Sequence, residues 1–192
     1  YGRAGETSLN IIDVNVRFGL LILDALNSIE KPVTFINTGT ILDSSVNLYA
    51  LSKNQFAEWA RRYAMENNRF RFVNVLLQHM YGPGDDRTKF TSFVINACYE
   101  NMEVLPLTSG EQRRDFIYID DVVAAYQILV DNLDNFCNVD HVEVGSGTAP
   151  TVRQFVETVH ALTKSKTLLN FGAVEYRKNE AMNCQANIER LL

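Results

Sequence analysis

The sequence of 192 residues has little positive charge and few cysteines, and each shortage excludes a class of protein. It holds 18 lysines and arginines against 23 acidic residues, a formal charge of −5, so no excess of cations attracts nucleic acid or an anionic membrane. Cys98, Cys137 and Cys184 are odd in number and far apart, without the paired spacing of a disulfide framework or a zinc site. We therefore predict a protein of the reducing cytoplasm with no metal, no nucleic acid and no membrane among its partners.

A long apolar run is missing as well. The best candidate, residues 18–26, is interrupted by Gly19 and Asp24 and is too short to span a bilayer. The chain has no internal repeat or low-complexity segment, and 46% apolar residues suffice for one sizeable core, so we predict a globular protein. It opens on Tyr1-Gly2-Arg3 without an initiator methionine or a signal peptide, and we expect it to be a piece of something longer.

The spacing of apolar residues predicts alternating helices and strands. Residues 70–77 (FRFVNVLL) are nearly continuous in apolar side chains, as in a strand that is covered on both faces. Strand, long helix and strand in succession are typical of a parallel α/β layer. We predict helices at 9–26, 46–67, 89–100, 121–130 and 152–162, and strands at 33–37, 70–77, 104–108, 116–119, 141–144 and 167–171.

Tyr49 and Lys53 stand four residues apart on a predicted helix, so both side chains lie on one face. A lysine cation favours the phenolate and lowers the pKa of a tyrosine, which can then exchange a proton near neutrality. Thr38 ends the preceding predicted strand, where open α/β sheets place ligand-contacting groups. Taken alone, the pair also fits an amphipathic helix, and Thr38 also fits an ordinary strand-end cap.

Together these residues resemble a known catalytic pattern. Thr38 followed by Tyr49-Ala50-Leu51-Ser52-Lys53 resembles the Ser/Thr and Tyr-x-x-x-Lys triad of short-chain dehydrogenase/reductases. Residues 80–85 (MYGPGD) and 110–121 (GEQRRDFIYIDD) resemble the signatures of the NAD(P)-dependent nucleotide-sugar epimerase/dehydratase branch of that family. Residues 13–16 (DVNV), 143–147 (EVGSG) and 176–180 (YRKNE) resemble three further motifs of the branch, so the resemblance spans nearly the whole chain.

The resemblance implies an α/β fold that is part of a Rossmann-type doubly wound parallel sheet, with a smaller interleaved substrate-binding lobe. Residues 1–82 would be the C-terminal part of the cofactor domain with its catalytic helix. Residues 83–192 would form mainly the lobe, with segments near 115–145 returning to the sheet. Helices 9–26 and 46–67 would pair with those of a second copy in a homodimer.

The resemblance also implies an NAD- or NADP-dependent enzyme that transfers hydride at a sugar ring. Tyr49 would be the general acid/base, Lys53 would bind the nicotinamide ribose and tune Tyr49, and Thr38 would polarise the reacting oxygen. The implied cofactor contacts are Asn15, Tyr49, Lys53 and the backbone near Leu77 and Gln78.

The implied substrate is a nucleoside-diphosphate sugar. A buried diphosphate needs cations with directional donors, which arginine provides in pairs, and the resemblance assigns this role to Arg114 and Arg177. His79, in the place of the family's usual asparagine, can still donate to a phosphate or sugar oxygen, and it also fits a packed core histidine. The remaining implied substrate contacts are Lys89, Phe90, Pro106, Leu107 and Thr108.

The sequence departs from the family pattern at three places. The Gly-rich turn that seats the cofactor pyrophosphate is absent, since Gly2 is not followed by further glycines, so this chain alone is expected to bind NAD(P) poorly. Gly39-Thr40 replaces the Asp-Glu of dehydratases, which makes dehydration an unexpected reaction. The short connection from Thr38 to Tyr49 resembles the CDP-linked deoxysugar reductases, a group that includes the CDP-abequose synthases.

Several alternatives stay open. The implied activity is either a 4-epimerase or a 4-keto sugar reductase, and the residues serve both. A catalytically degenerate module that binds a nucleotide sugar or a dinucleotide is the alternative from another class. The base, the sugar and the choice of NAD or NADP are not specified by these residues.

Overall fold

The computed structural model describes residues 6–191. Gly2, the residue considered for the Gly-rich cofactor turn, lies outside that range. The helices are α1 (Ser8–Ile12), a π-helical segment (Asp13–Arg17), α2 (Phe18–Asn27), α3 (Leu48–Glu66), α4 (Phe90–Tyr99), α5 (Ile119–Asp131) and α6 (Val152–Thr163), with short 3-10 turns at Leu133–Asn135 and Glu189–Leu191. The strands are β1 (Val33–Thr38), β2 (Phe70–Leu77), β3 (His79–Tyr81), β4 (Val104–Leu107), β5 (Arg113–Arg114), β6 (Phe116–Tyr118), β7 (Val139–Val144), β8 (Leu168–Phe171) and β9 (Asn183–Cys184).

The chain divides into two compact units, each built from more than one segment. Unit 1 comprises Tyr1–Leu77, Ala125–Val144 and Ile188–Leu192, and unit 2 comprises Gln78–Ala124 and Gly145–Asn187. The functional division into a cofactor domain and a substrate lobe stays a prediction.

Unit 1 contains a three-stranded parallel sheet in the order β1-β2-β7. In its register Thr38 lies beside Val75, and Val75 lies beside Val142. The apolar run that predicted a covered strand is β2, the central strand, as expected from its buried side chains. Helix α3 packs on the sheet, with the Phe56 ring edge-on to Phe35 at 6.1 Å between ring centres.

The single helix predicted at 9–26 is wrong in one respect, because α1 and α2 are joined by a π-helical segment. A π turn holds one extra residue per hydrogen-bonded ring, and the 3.6-residue spacing of apolar side chains does not reveal it. Gly19 on α2 has no room for a side chain, since a Cβ there would lie 2.3 Å from the Phe56 ring. Helices α2 and α3 therefore approach each other closely at Gly19.

Unit 2 is built on three short parallel pairs, β3 with β6, β4 with β8 and β5 with β9. Strands of two or three residues are too short to show periodicity, which is why β3, β5 and β9 escaped prediction. The core lies among α4, α6 and β4, where Val94, Cys98, Leu105 and Val156 are almost fully buried.

A single buried carboxylate connects three segments of unit 2. Asp115 is fully buried, and its Oδ1 accepts hydrogen bonds from the backbone N–H and the hydroxyl of Ser146, both at 2.7 Å. Its Oδ2 accepts from the N–H of Gly147 at 3.0 Å and of Ala186 at 3.1 Å. A Cβ at Gly145 would lie 2.5 Å from Oδ2, so the glycine permits this close approach.

The described residues contain neither a membrane-spanning helix nor a cluster of metal-binding side chains. None of the helices between residues 6 and 191 is both long and apolar enough to cross a bilayer. Over the same range, no three His, Cys, Asp or Glu side chains are grouped so that they could hold a metal ion.

We expect Asp115→Ala to lower the free energy of unfolding by about 3 kcal/mol, since hydrogen bonds to charged groups contribute roughly 1.5 to 3 kcal/mol each and are not additive. Urea denaturation measures the change. Asp134→Ala, at an exposed aspartate, is the matched control and should leave stability nearly unchanged. Equal effects of the two substitutions would contradict the role given to Asp115.

Candidate active site

Thr38 ends β1, and a tyrosine hydroxyl holds its side chain. Thr38 Oγ1 lies 2.7 Å from the Tyr126 hydroxyl, and either group can be the donor. Burial raises the pKa of Tyr126, and the hydrogen bond with Thr38 opposes that rise, so the phenol is protonated at neutral pH. Tyr126 therefore restricts the orientation of Thr38. The sequence analysis missed it because a tyrosine inside the apolar helix α5 has the pattern of a core residue.

Tyr49 and Lys53 lie one turn apart at the start of α3, both partly buried. Asn47 caps this helix, its side-chain oxygen accepting from the Ala50 N–H at 2.8 Å. Burial lowers the pKa of Lys53. Its ammonium group has no hydrogen bond or ion pair with any residue from 6 to 191, so a partly desolvated cation stands beside the predicted acid/base without a counter-ion.

Asn15, in the π-helical segment, is hydrogen-bonded to helix α3. Its side-chain N–H donates to Ser52 Oγ at 3.0 Å, and the Ser52 hydroxyl donates to the carbonyl of Tyr49 at 2.8 Å. Ser52 is only 2% exposed. Asn15 therefore supports the helical turn that carries the predicted catalytic pair.

The positions that hold two acids in dehydratases are occupied here by Gly39 and Thr40, both buried. A Cβ at Gly39 would lie 2.6 Å from Asn74 Oδ1, the atom that accepts a hydrogen bond from Asn37 Nδ2 at 2.7 Å. A carboxylate at position 39 would displace this bonded pair. The structure thus agrees with the absence of dehydratase acids.

An open groove of about 770 Å³ lies in unit 1, along the loop after β1 and α3. Thr40, Asp43, Asn54, Trp59 and Asn74 are among the residues that line it. None of the three predicted catalytic side chains is among them, so the groove is not evidence for their role.

The two arginines predicted to hold the diphosphate differ in environment. Arg114 is 8% exposed, and its guanidinium donates to the carbonyl of Arg113 at 2.7 Å and to the carboxylate of Glu180. Two of its five N–H donors are used in this way, and the other three have no hydrogen bond with residues 6–191. Arg177 is exposed.

Tyr176 fixes the loop that follows β4. Its hydroxyl lies 2.6 Å from Ser109 Oγ and accepts from the N–H of Glu111 at 3.0 Å. Because Arg177 is the next residue, this contact brings its segment close to the loop that begins at Thr108. In the sequence, Tyr176 is recognisable only as part of the motif at residues 176–180, which does not reveal this contact.

The remaining predicted substrate residues are also in unit 2. Lys89 precedes α4 and pairs with Asp85 at 2.7 Å, while Phe90 is 40% exposed. Thr108 Oγ1 accepts from the side chain of Gln112 at 3.1 Å, and Pro106 is exposed. The Leu107 side chain is 5% exposed and packs in the core, because alternate residues of a strand face opposite sides, so the predicted contact of Leu107 is limited to its backbone.

Residues 78–85 hold buried polar atoms without partners. Gln78 is 5% exposed, and neither its amide nitrogen nor its amide oxygen has a hydrogen bond within the described part of the chain. The same is true of His79 Nδ1 and Asp85 Oδ2. Burial, aided by the charge of Arg114, lowers the pKa of His79 to about 4, so the imidazole is neutral at neutral pH. Its ring is edge-on to Phe116, 6.1 Å between ring centres.

Comparison with known proteins shows which family and which relatives the chain resembles. A profile of the NAD dependent epimerase/dehydratase family matches residues 1–145. The chain is 32% identical to CDP-abequose synthase of Salmonella typhimurium strain LT2, with 100% of this chain and 66% of that protein covered. It is 37% identical to CDP-abequose synthase of Salmonella muenchen over 72% of this chain and 47% of that protein. The chain thus spans about half to two thirds of the length of these relatives.

A solved structure confirms the predicted fold class. UDP-glucuronic acid 4-epimerase from Bacillus cereus, in complex with UDP-glucuronic acid and NAD, superposes with a TM-score of 0.79 at 17% identity. The superposition covers 92% of this chain and 59% of that chain. The predicted likeness to CDP-abequose synthases is confirmed by the sequence relatives.

We expect acid to destabilise the protein through His79. Its pKa is lowered in the folded state, so below about 6.5 the unfolded chain binds a proton that the folded one does not, and stability falls as the pH drops towards 4. The contribution approaches about 1.4 kcal/mol per pH unit in that window. Denaturation of His79→Gln at pH 7, 6 and 5 should show a shallower dependence than the parent. His141→Gln, at an exposed histidine, is the control. Identical slopes for parent and His79→Gln would contradict the assignment.

Proposed function

The chain belongs to the NAD dependent epimerase/dehydratase family, and on that premise we propose that it carries the hydride-transfer chemistry of a nucleotide-sugar 4-epimerase or 4-keto sugar reductase. The observation that supports this most directly is Lys53, a partly desolvated ammonium group one helical turn from Tyr49 that has no hydrogen bond or ion pair with any residue from 6 to 191. A purely structural lysine would be solvated or paired, because burial of an uncompensated charge is unfavourable.

Tyr49 is the proposed general acid/base, exchanging a proton with the reacting sugar oxygen. The positive charge of Lys53 stabilises the phenolate and so favours that exchange near neutral pH. Thr38 hydrogen-bonds the reacting oxygen, and Tyr126 keeps its hydroxyl in place. Asn15 acts indirectly, through Ser52 and the first turns of α3.

NAD or NADP fits the donors in the first turns of α3 and the backbone that follows β2. The unpartnered Lys53 ammonium can donate to ribose hydroxyls, and we assign Asn15, Tyr49, Lys53 and the backbone of Leu77 and Gln78 to the cofactor. When bound, the dinucleotide supplies the hydride acceptor or donor. The predicted cytoplasmic location belongs to the same proposal and is supported by three free cysteines.

The proposed substrate is a nucleoside-diphosphate sugar, the class named in the relatives' descriptions. Arg114 has three guanidinium donors without a hydrogen bond to residues 6–191, which we assign to the diphosphate, and the exposed Arg177 adds a second cation. The nucleotide is assigned to Lys89, Phe90, Pro106, Thr108 and the backbone of Leu107. His79, which is neutral, is assigned to a sugar oxygen rather than to a phosphate.

Between the two reactions, the likeness to CDP-abequose synthases favours the reductase, because the short spacer before Tyr49 resembles CDP-linked deoxysugar reductases. Intact Thr38, Tyr49 and Lys53 oppose a degenerate binding module, since a module without chemistry has no use for a proton-transfer pair.

We expect Tyr49→Phe to abolish turnover in the full-length protein and to leave sugar-nucleotide affinity nearly unchanged. The phenol oxygen transfers the proton, whereas the ring supplies most of the packing. Oxidation of NADPH with a 4-keto nucleotide sugar measures the first quantity, and calorimetric titration with CDP-glucose measures the second.

Tyr126→Phe is the matched comparison, since it also removes one phenol oxygen of unit 1. It should reduce turnover about tenfold, less than the loss of roughly 10²-fold or more that follows removal of an acid/base. Retention of more than about a tenth of the parent activity by Tyr49→Phe would exclude Tyr49 as the acid/base.

We also propose the homodimer through helices 9–26 and 46–67. Val14, Phe18 and Leu21 are 64%, 61% and 58% exposed and follow one another at helical spacing, and on α3 Trp59 is 53% and Met65 58% exposed. Exposed apolar surface of this kind commonly marks an interface.

Phe18→Lys should therefore convert a dimer to a monomer, because a charge placed at the centre of an apolar interface is left unpaired. Sedimentation at micromolar concentration measures the change. Leu162→Lys, at a leucine of unit 2 that is 78% exposed, should leave the dimer intact. A parent protein that sediments as a monomer would refute the proposal.

A further inference from the structure

The unpartnered polar atoms of unit 2 are concentrated in one short segment. In the described part of the chain, four buried side-chain atoms lack a hydrogen bond, and they belong to Gln78, His79 and Asp85. Gln78 alone contributes two, a donor and an acceptor, at 5% exposure. Native proteins satisfy nearly all buried polar groups, so such a concentration needs a specific cause.

A second buried glutamine of unit 2 shows what a structural amide looks like. Gln112 is 7% exposed, and its Nε2 donates to Thr108 Oγ1 at 3.1 Å. The chain thus satisfies a buried amide where the amide serves the fold. At Gln78, burial removes the side-chain amide from water, and no hydrogen bond within residues 6–191 compensates for this loss.

The surroundings of Gln78 favour a neutral ligand group. Its own amide is uncharged, and the adjacent imidazole of His79 is neutral at physiological pH. An amide with both a free donor and a free acceptor matches a group that also donates and accepts, as a sugar hydroxyl does.

The charge of the nearby Arg114 indicates which neutral part of the ligand would lie at Gln78. Arg114 is close enough to His79 to lower its pKa, and His79 pairs in register with Phe116, two residues beyond Arg114. In a nucleoside-diphosphate sugar the diphosphate carries the sugar on one side and the nucleoside ribose on the other, and the nucleotide side is already assigned to Lys89, Phe90 and the residues from Pro106 to Thr108. A sugar ring would therefore be the part of the ligand that follows a diphosphate held at Arg114.

We propose that the side-chain amide of Gln78 binds hydroxyl groups of the sugar ring and determines which sugars the protein accepts. This inference rests on the proposed function and assigns a substrate contact to a residue whose backbone alone was linked to the cofactor. The nicotinamide carboxamide offers the same donor and acceptor, and the titration with NADP below distinguishes it from a sugar hydroxyl.

The test replaces the amide with an apolar side chain of similar length, Gln78→Met, in the full-length protein, with Gln78→Leu as a second variant. Calorimetric titrations use CDP-glucose, UDP-glucose, CDP, UDP and NADP, and thermal unfolding is followed without ligand. We expect roughly tenfold weaker binding of the sugar nucleotides, with the affinities for CDP, UDP and NADP unchanged.

The temperature of the unfolding midpoint distinguishes a ligand-binding amide from a structural one. Loss of an unsatisfied amide raises the midpoint, whereas loss of an amide that stabilises the fold lowers it. Gln78→Met should raise it by a few degrees, because two buried unsatisfied groups are removed, whereas Gln112→Met should lower it. A lowered midpoint with unchanged sugar-nucleotide affinity would show that Gln78 serves the fold and would overturn the proposal.

The other outcomes separate this inference from the proposed function. Equal weakening of CDP-glucose and CDP would move Gln78 to the nucleotide, and weakening of NADP alone would move it to the nicotinamide. Either result overturns the sugar assignment and leaves the proposed function standing. Failure of the parent protein to bind any of the sugar nucleotides would overturn the proposed function and this inference together.

Discussion

The parallel pairing of β1, β2 and β7 is the constraint on which the rest of unit 1 depends. Parallel strands end at the same edge, so the register that sets Thr38 beside Val75 also aligns the carboxyl ends of all three strands. Open α/β sheets bind ligands outside that edge. The chain places a threonine hydroxyl there, and the helix that follows places a tyrosine and a lysine in its first two turns.

Lys53, which has no hydrogen bond or ion pair with residues 6–191, is held in this place by its surroundings. The unfavourable burial of Lys53 is imposed by α3, whose start is fixed by the Asn47 cap and by the bond from Asn15 to Ser52. The π-helical segment supplies Asn15 at that point, and π turns inside helices are frequent at functional sites. The desolvated ammonium can then be neutralised by a phenolate or solvated by hydroxyl groups of a ligand, and both are states that a hydride-transfer reaction needs.

The sequence was sufficient for features whose causes are local. The apolar run at 70–77 predicted β2 with its observed bounds, and the four-residue spacing of Tyr49 and Lys53 predicted their common helix face. Features that depend on residues distant in sequence were not predictable. Tyr126 meets Thr38 across 88 positions, and Glu180 meets Arg114 across 66. No spacing or composition rule contains such pairs, because they exist only once the chain has folded.

The Arg114–Glu180 pair shows why unit 2 has a conflict between stability and binding. A buried guanidinium without a carboxylate would be strongly unfavourable, so Glu180 is needed while no ligand is bound. A diphosphate is negatively charged and would compete with Glu180 for the Arg114 guanidinium. The net gain from binding the diphosphate is therefore reduced by the weakening of the Arg114–Glu180 ion pair. The buried polar atoms of Gln78 and His79 favour binding instead. They have no hydrogen bond within residues 6–191, so a ligand that bonds to them adds hydrogen bonds without replacing any. With Arg114 and Gln78 in the proposed roles, recognition of charge is weakened by a pre-existing partner, while recognition of neutral groups is strengthened by the lack of one among residues 6–191. Selectivity is then expected to depend more on the sugar than on the diphosphate.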